Sequence, residues 1–253
     1  MLDVDYLNLL RHMEIEELVP VLPPGCRILE FGSGTGQQAR YLAEHGFDVV
    51  AIDLPTSNYA RNRIFPIQEY DGSTIPLPDR SVDVIFSSNV LEHVENLAEI
   101  STEFRRILKP GGFAVHVLPT SAWRFWSFAT GAAESLKAVV ELPRQLLKPR
   151  ADEGRITVLK REGRRIGSGF IPRGHGTSAE GISELWTFSR SAWRRRFGRC
   201  GFKVVEDRSI GLFYTGTMLL GDDLSFERRR LLSRIFGSST RAYRVEIAER
   251  RPD

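Results

Sequence analysis

Residues 28–55 read ILEFGSGTGQQARYLAEHGFDVVAIDLP. Ile28, Leu29 and Phe31 make a short apolar run, and Gly32, Gly34 and Gly36 then alternate with Ser33 and Thr35. A helix-permissive segment follows, and a second apolar run ends on Asp53. Strand, glycine turn, helix and strand in this order predict one winding of a parallel α/β sheet. The turn is its chemical centre. Glycine there lets the backbone take positive φ and approach a ligand with no Cβ in the way. A helix beginning near Thr35 aims its free N–H groups at the same place. Such a unit binds a nucleotide-like ligand, and the residues around the turn decide which.

Working outward, apolar runs separated by helical stretches predict strands at Arg27–Phe31, Asp48–Ile52, Ile64–Gln68, Val82–Ser87 and Gly112–Leu118. Residues 3–19 carry Leu7, Leu10, Ile15 and Leu18 at helical spacing, and Pro20 stops the pattern. Leu97, Ile100, Phe104, Ile107 and Leu108 share one face of a further helix that Lys109-Pro110-Gly111-Gly112 ends. The fold class is therefore α/β: a doubly wound, mostly parallel sheet with helices on both faces. The alternation breaks after Pro119. It resumes at SRSAWRRRFGRCGFKVVEDRS, a Ser-capped helix stopped at Gly201 and followed by a strand, and YRVEIAER supplies a closing strand. One domain spans 1–253, with a ligand-binding half over 1–119, an insertion over 120–187 between the fifth and sixth strands, and 188–253 completing the sheet.

The 253 residues are 42% hydrophobic and 26% charged, ordinary values for a globular protein. No apolar run approaches the about 20 residues needed to cross a bilayer, and the acidic start lacks the pattern of a signal peptide, so a cytoplasmic location is expected. Cys26 and Cys200 suggest neither a disulfide nor a zinc framework. The net charge of +3 hides an asymmetry: residues 1–120 hold 9 Lys and Arg against 17 Asp and Glu, and residues 121–253 hold 26 against 15. A basic second part suits an anionic substrate or surface, and equally a solvated face.

Three ligand classes compete for the turn. A phosphate-gripping loop needs Gly-Lys-Ser/Thr, where this chain has Gln37-Gln38. A dinucleotide fingerprint needs its third glycine where Gln37 stands. The third class fits better. The acid–x–G-x-G-x-G run of Glu30, Gly32, Ser33, Gly34 and Gly36 resembles motif I of the class I S-adenosylmethionine-dependent methyltransferases, type 11-like. The resemblance extends through IPLPDRSVDVI and EISTEFRRILKPGGFAVHVLP, and covers about residues 25–119 and, thinly, 189–208. It implies a Rossmann-like seven-stranded mixed sheet and S-adenosyl-L-methionine as cofactor. Asp53, with Leu54 beside it, then takes the ribose hydroxyls, Asp71 with Gly72 faces the adenine amino group, and Ser88 and Asn89 end the fourth strand beside the cofactor.

Methyl transfer from a sulfonium needs alignment more than activation, and no metal-ligand cluster is visible along the chain. His12 and His45 read as helix-surface residues and His116 as a core residue. His93, just past the fourth strand, and His175, between glycines in the insertion, are the candidate catalytic groups facing the acceptor. Glu184 reads as a residue that orients a neighbour. The HGTSAEG and TFSRSAWRRRF stretch also resembles methyltransferases associated with surface polysaccharides and lipid glycans. That implies a small-molecule, glycan or lipid-linked sugar acceptor, with a quinone or RNA as alternatives and a non-catalytic partner subunit as a further rival. An NAD oxidoreductase is disfavoured by Gln37. Nucleic-acid binding lacks a recognisable module. The apolar and aromatic residues of 123–150, ending at Lys148 and Arg150, suggest peripheral membrane contact or a lid.

Overall fold

The computed structural model describes residues 4–147, 154–170, 174–177, 181–217 and 224–249. Seven strands form one sheet: β1 (Arg27–Phe31), β2 (Asp48–Asp53), β3 (Ile67–Glu69), β4 (Val82–Ser88), β5 (Leu108–Pro119), β6 (Phe202–Ser209) and β7 (Thr240–Ile247). Their order is β3-β2-β1-β4-β5-β7-β6, with β7 antiparallel to both neighbours and the other contacts parallel. This is the Rossmann-like seven-stranded mixed sheet that the sequence resemblance implies. Ile28, Leu29, Val84, Ile85 and Phe86 are fully buried, as central strands covered on both faces require.

Helices α1 (Val4–Glu16), α2 (Gln37–Glu44), α3 (Leu97–Ile107) and α7 (Arg190–Arg199) flank the sheet. In α3 the buried residues Ile100, Phe104 and Ile107 follow the apolar stripe of the sequence. Ser189 caps α7 by accepting the Ala192 N–H. The insertion forms α4 (Ser121–Leu147), α5 (Arg155–Phe170) and the single turn α6 (Glu184–Thr187), and α8 (Phe226–Phe236) precedes β7. The Ser135 hydroxyl on α4 donates to the carbonyls of Arg165 and Ile166 on α5, which ties the two helices together.

Several boundaries differ from the sequence reading. The third strand is Ile67–Glu69 rather than Ile64–Gln68, because Phe65-Pro66 cannot keep a full ladder. The fifth strand begins at Leu108, so Lys109-Pro110-Gly111-Gly112 lies within its irregular start instead of in a turn before it. Helix α2 begins at Gln37 behind a left-handed Gly36, two residues later than expected. Trp123 on α4 is buried, whereas Phe125, Leu136, Val140 and Leu147 point outward. Lys148 and Arg150 lie outside the described residues. Among the described residues no helix is long and apolar enough to cross a membrane.

Candidate functional site

From β1 the chain winds outward to β3, then returns past β1 to β4, so the sheet reverses direction between β1 and β4. At such a point the loops after adjacent strands diverge and leave a crevice at their carboxyl ends. A cleft of about 260 Å³ opens there. Gly32, Ser33 and Gly34 after β1 form its floor, Asp53 and Leu54 end β2 on one side, and Ser88, Asn89 and Val90 end β4 on the other. Tyr59 walls it, Leu7, Asn8 and Arg11 of α1 roof it, and His93 stands at the rim.

The glycine turn is sterically required. Gly32 has φ +74°, and a Cβ there would lie 2.6 Å from both methyl carbons of Val90. The turn closes onto β2, since the N–H groups of Gly32 and Ser33 both donate to the Ile52 carbonyl. Asp53 completes the join: one carboxylate oxygen accepts the Gly34 N–H at 3.0 Å and the other the Leu54 N–H at 2.8 Å. Each oxygen retains acceptor capacity at the cleft wall. Asn89 holds φ +55°, a conformation unusual for a side-chain-bearing residue, and its N–H is anchored on the Val117 carbonyl.

The remaining sequence-predicted residues stand farther back. Gly36 caps α2 behind the turn. Asp71 is exposed and accepts the N–H groups of Thr74 and Ser73, which hold its carboxyl below the usual carboxylate range. Gly72 approaches the Leu54 side chain from outside the cleft. Glu30 is buried under the floor, and one of its oxygens has no hydrogen-bond partner. Burial pushes its carboxyl up from 4.5 to about 8, against the opposing pull of Ser33 and the Ala39 amide. Its folded value therefore exceeds the unfolded one, so this group favours the fold below pH 4.5 and progressively opposes it as the pH rises through 8. We expect Glu30→Gln to raise the melting temperature at pH 8.5 and to change it little at pH 4.5. An equal shift at both would contradict a buried neutral acid.

A second group of residues meets at the rim. His93 and His175, far apart in the chain, have ring centroids 4.9 Å apart, and Trp123 lies 4.7 Å from the His175 ring. The Thr177 N–H donates to the Glu92 carbonyl at 2.8 Å, and a Cβ on Gly176 would run into that carbonyl. Only glycine lets the loop come this close. Glu184, wholly buried, accepts the N–H groups of His175 and Gly176 at 2.6 and 2.7 Å and pairs with the Arg124 guanidinium at 2.8 Å. Burial lowers both imidazoles, His175 to about 4 with the added push of His93, Arg124 and Arg11, so both rings are neutral near pH 7. Glu92 is buried, and burial raises its carboxyl to about 8. His116, by contrast, is a core residue: it is stacked between Phe104 and Phe197 and hydrogen-bonded to the Ser87 hydroxyl.

Sequence reasoning missed Asn8, Arg11, Tyr59 and Glu92. Tyr59 sits in a loop with no periodicity to read. Arg11 lies on a helix whose apolar stripe gave no hint that its polar side roofs a cleft; there it donates to Glu14 at 2.6 Å and to the Tyr214 hydroxyl at 3.1 Å. Glu92 gains its meaning from a contact with the distant insertion.

Residues 29–116 match the methyltransferase domain family. The chain is 34% identical over 108 residues to a sarcosine/dimethylglycine N-methyltransferase of Aphanothece halophytica, covering 38% of this chain and 39% of that protein. It is 32% identical over 106 residues to the biotin biosynthesis bifunctional protein BioHC of Cellvibrio japonicus, covering 40% of this chain and 21% of the relative. The matched part thus spans well under half the length of these curated relatives. A crystal structure of an S-adenosylmethionine-dependent methyltransferase from Mesorhizobium loti shares the fold, with a TM-score of 0.54, 19% identity, and 92% of this chain and 97% of that one covered.

Proposed function

We propose, from the match of residues 29–116 to the methyltransferase domain family, that this S-adenosylmethionine-dependent methyltransferase moves a methyl group to a hydroxyl of a small-molecule, glycan or lipid-linked sugar acceptor. The observation that carries this reading is the cleft at the switch point, where a Cβ-free turn, the Asp53 carboxylate and the rim histidine converge. Its residues fit the cofactor in kind. The Asp53 oxygens suit the two ribose hydroxyls, Leu54 and Val90 offer apolar faces to a base and a thioether, and Asn8 and Arg11 suit the amino-acid end. Glu30 supports the turn from beneath.

When bound, S-adenosylmethionine supplies a sulfonium methyl open to in-line attack. The protein's part is alignment and exclusion of water. Helix α1 covers the cleft, the turn after β4 carries His93 and the insertion carries His175, and their neutral rings support this reading, since a free ring nitrogen can take a hydrogen bond or a proton from an acceptor hydroxyl. The outward face of α4, with Phe125, Leu136, Val140 and Leu147 beside Lys137 and Arg144, suits an acceptor presented at an anionic lipid surface.

The test is a calorimetric titration with S-adenosylhomocysteine and, separately, NAD, followed by transfer of labelled methyl to free and lipid-linked glycans. Saturable binding of the homocysteine compound and none of NAD is the expected result. A folded protein that binds neither removes the enzymatic reading.

A further inference from the structure

We propose that Glu92, His93 and His175 together form a binding site for one divalent transition cation at the mouth of the cleft. The spacing of these residues along the chain gives no sign of a metal site, since His175 belongs to the insertion. The fold assembles it: one ligand atom from each residue lies within 4.8 Å of the other two, and His93 Nε2 is 3.8 Å from a Glu92 carboxylate oxygen. A cation bound at about 2.0–2.2 Å by each ligand needs an inward adjustment on the order of an ångström, within reach of side-chain torsions.

The second observation is independent of that spacing. Glu92 is only 2% exposed, and neither of its carboxylate oxygens has a hydrogen-bond partner. A buried carboxyl group without hydrogen-bond partners is costly, neutral or ionised, and among the described residues the groups its oxygens can share a ligand with are the two imidazoles. A cation between the three supplies the missing partner. The neighbouring arginines do not fill that role: neither donates to the Glu92 carboxyl group, Arg11 donating to Glu14 and Tyr214 and Arg124 pairing with Glu184.

The surroundings hold the ligands as a metal site requires. The Thr177 N–H on the Glu92 carbonyl pins the histidine loop to the turn after β4, and the His175 and Gly176 N–H groups on Glu184 pin it to α6. Trp123 backs the His175 ring. Such outer contacts fix ligand orientation. Two imidazoles and one carboxylate select zinc-like borderline ions over magnesium or calcium, and a three-residue set leaves a position open. His93 lies at the rim of the cleft, so the open position can take an acceptor oxygen and make its hydroxyl more acidic. Binding of the cation stands apart from the methyl-transfer reading, and only this use of it on the acceptor rests on that reading.

The experiment uses the untagged full chain, stripped with a chelator, titrated with Co²⁺ and then displaced with Zn²⁺, with S-adenosylhomocysteine binding followed in parallel. One equivalent of Co²⁺ with the visible spectrum of a nitrogen-ligated site is expected. His93→Ala, His175→Ala and the near-isosteric Glu92→Gln should each weaken it beyond the about 10–100-fold that loss of an outer contact causes. His12→Ala removes the competing surface pair with Glu16 and should leave the spectrum unchanged. Absence of saturable binding in the wild-type chain, or a spectrum that survives in the His93→Ala/His175→Ala double variant, overturns the site. If Glu92→Gln fails to fold, the His175→Ala variant still decides. Co²⁺ binding without homocysteine binding would retain the cation site and discard the methyltransferase reading; the reverse would do the opposite.

Discussion

Asp53→Ala should weaken binding of S-adenosylhomocysteine by at least about 100-fold while leaving a folded protein. Hydrogen bonds to a charged group contribute about 1.5–3 kcal/mol each, and a vicinal diol offers two. The cleft is open to water, which argues for the lower end, or about 3 kcal/mol in total, and each 1.4 kcal/mol is tenfold in affinity. The same carboxylate accepts the Gly34 and Leu54 N–H groups, so its removal also releases the turn that shapes the floor. Asp53→Asn separates the two effects. An amide keeps the size and one acceptor oxygen but loses the charge and one acceptor, and its loss should lie between wild type and alanine. The measurement is calorimetric titration of all three proteins, with melting curves as the check on folding. Unchanged affinity in a folded alanine variant would remove Asp53 from the site.

The contrast between Asp53 and Glu92 shows what the sequence could disclose. Asp53, the glycine turn and β1 are legible because their roles are local: an apolar run, three alternating glycines and an acid at the end of the next run lie within one stretch of chain. The parallel direction of β1 with β2 and of β4 with β5 follows from the same local units, since α2 and α3 each carry the chain back across the sheet. Ser189 and Gly201 marked the ends of α7 for equally local reasons.

What stayed hidden depends on contacts between distant segments. Helix α5 contains Gly163 and Gly167 and a run of charges, a composition that opposes a helix on its own. It forms because its inner face packs on α4, where Val158 and Glu162 are buried. The roof over the cleft depends on Glu14, which accepts hydrogen bonds from the Tyr214 hydroxyl and the Thr240 hydroxyl and so binds α1 to the far end of the chain. Gly176 reads in sequence as loop flexibility. In the fold it is the residue small enough to let His175 meet Glu92. A residue's type is visible in the sequence, but its partner across the fold is not, and the rim of the cleft is made entirely of such partners.

Glu184→Ala should be the most destabilising of the substitutions considered, costing about 3–5 kcal/mol, because it removes one member of a buried ion pair and leaves the other's charge in place. The Arg124 side chain is 8% exposed and that of Glu184 is not exposed at all, so water cannot compensate. Two backbone N–H groups, of His175 and Gly176, lose their acceptor at the same time. Exposed ion pairs contribute little; this one differs by its burial and by joining three segments, α4, α6 and the histidine loop. Glu184→Gln keeps an acceptor for the two amides but loses the charge opposite Arg124, so it should recover part of the stability and keep the loop in place. Urea unfolding of the three proteins gives the magnitude, and amide hydrogen exchange at residues 175–177 gives the location. Fast exchange there in the alanine variant, and protection in the glutamine variant, would show that Glu184 sets the position of His175. Equal protection in both would mean that the loop is held by the Glu92 carbonyl alone.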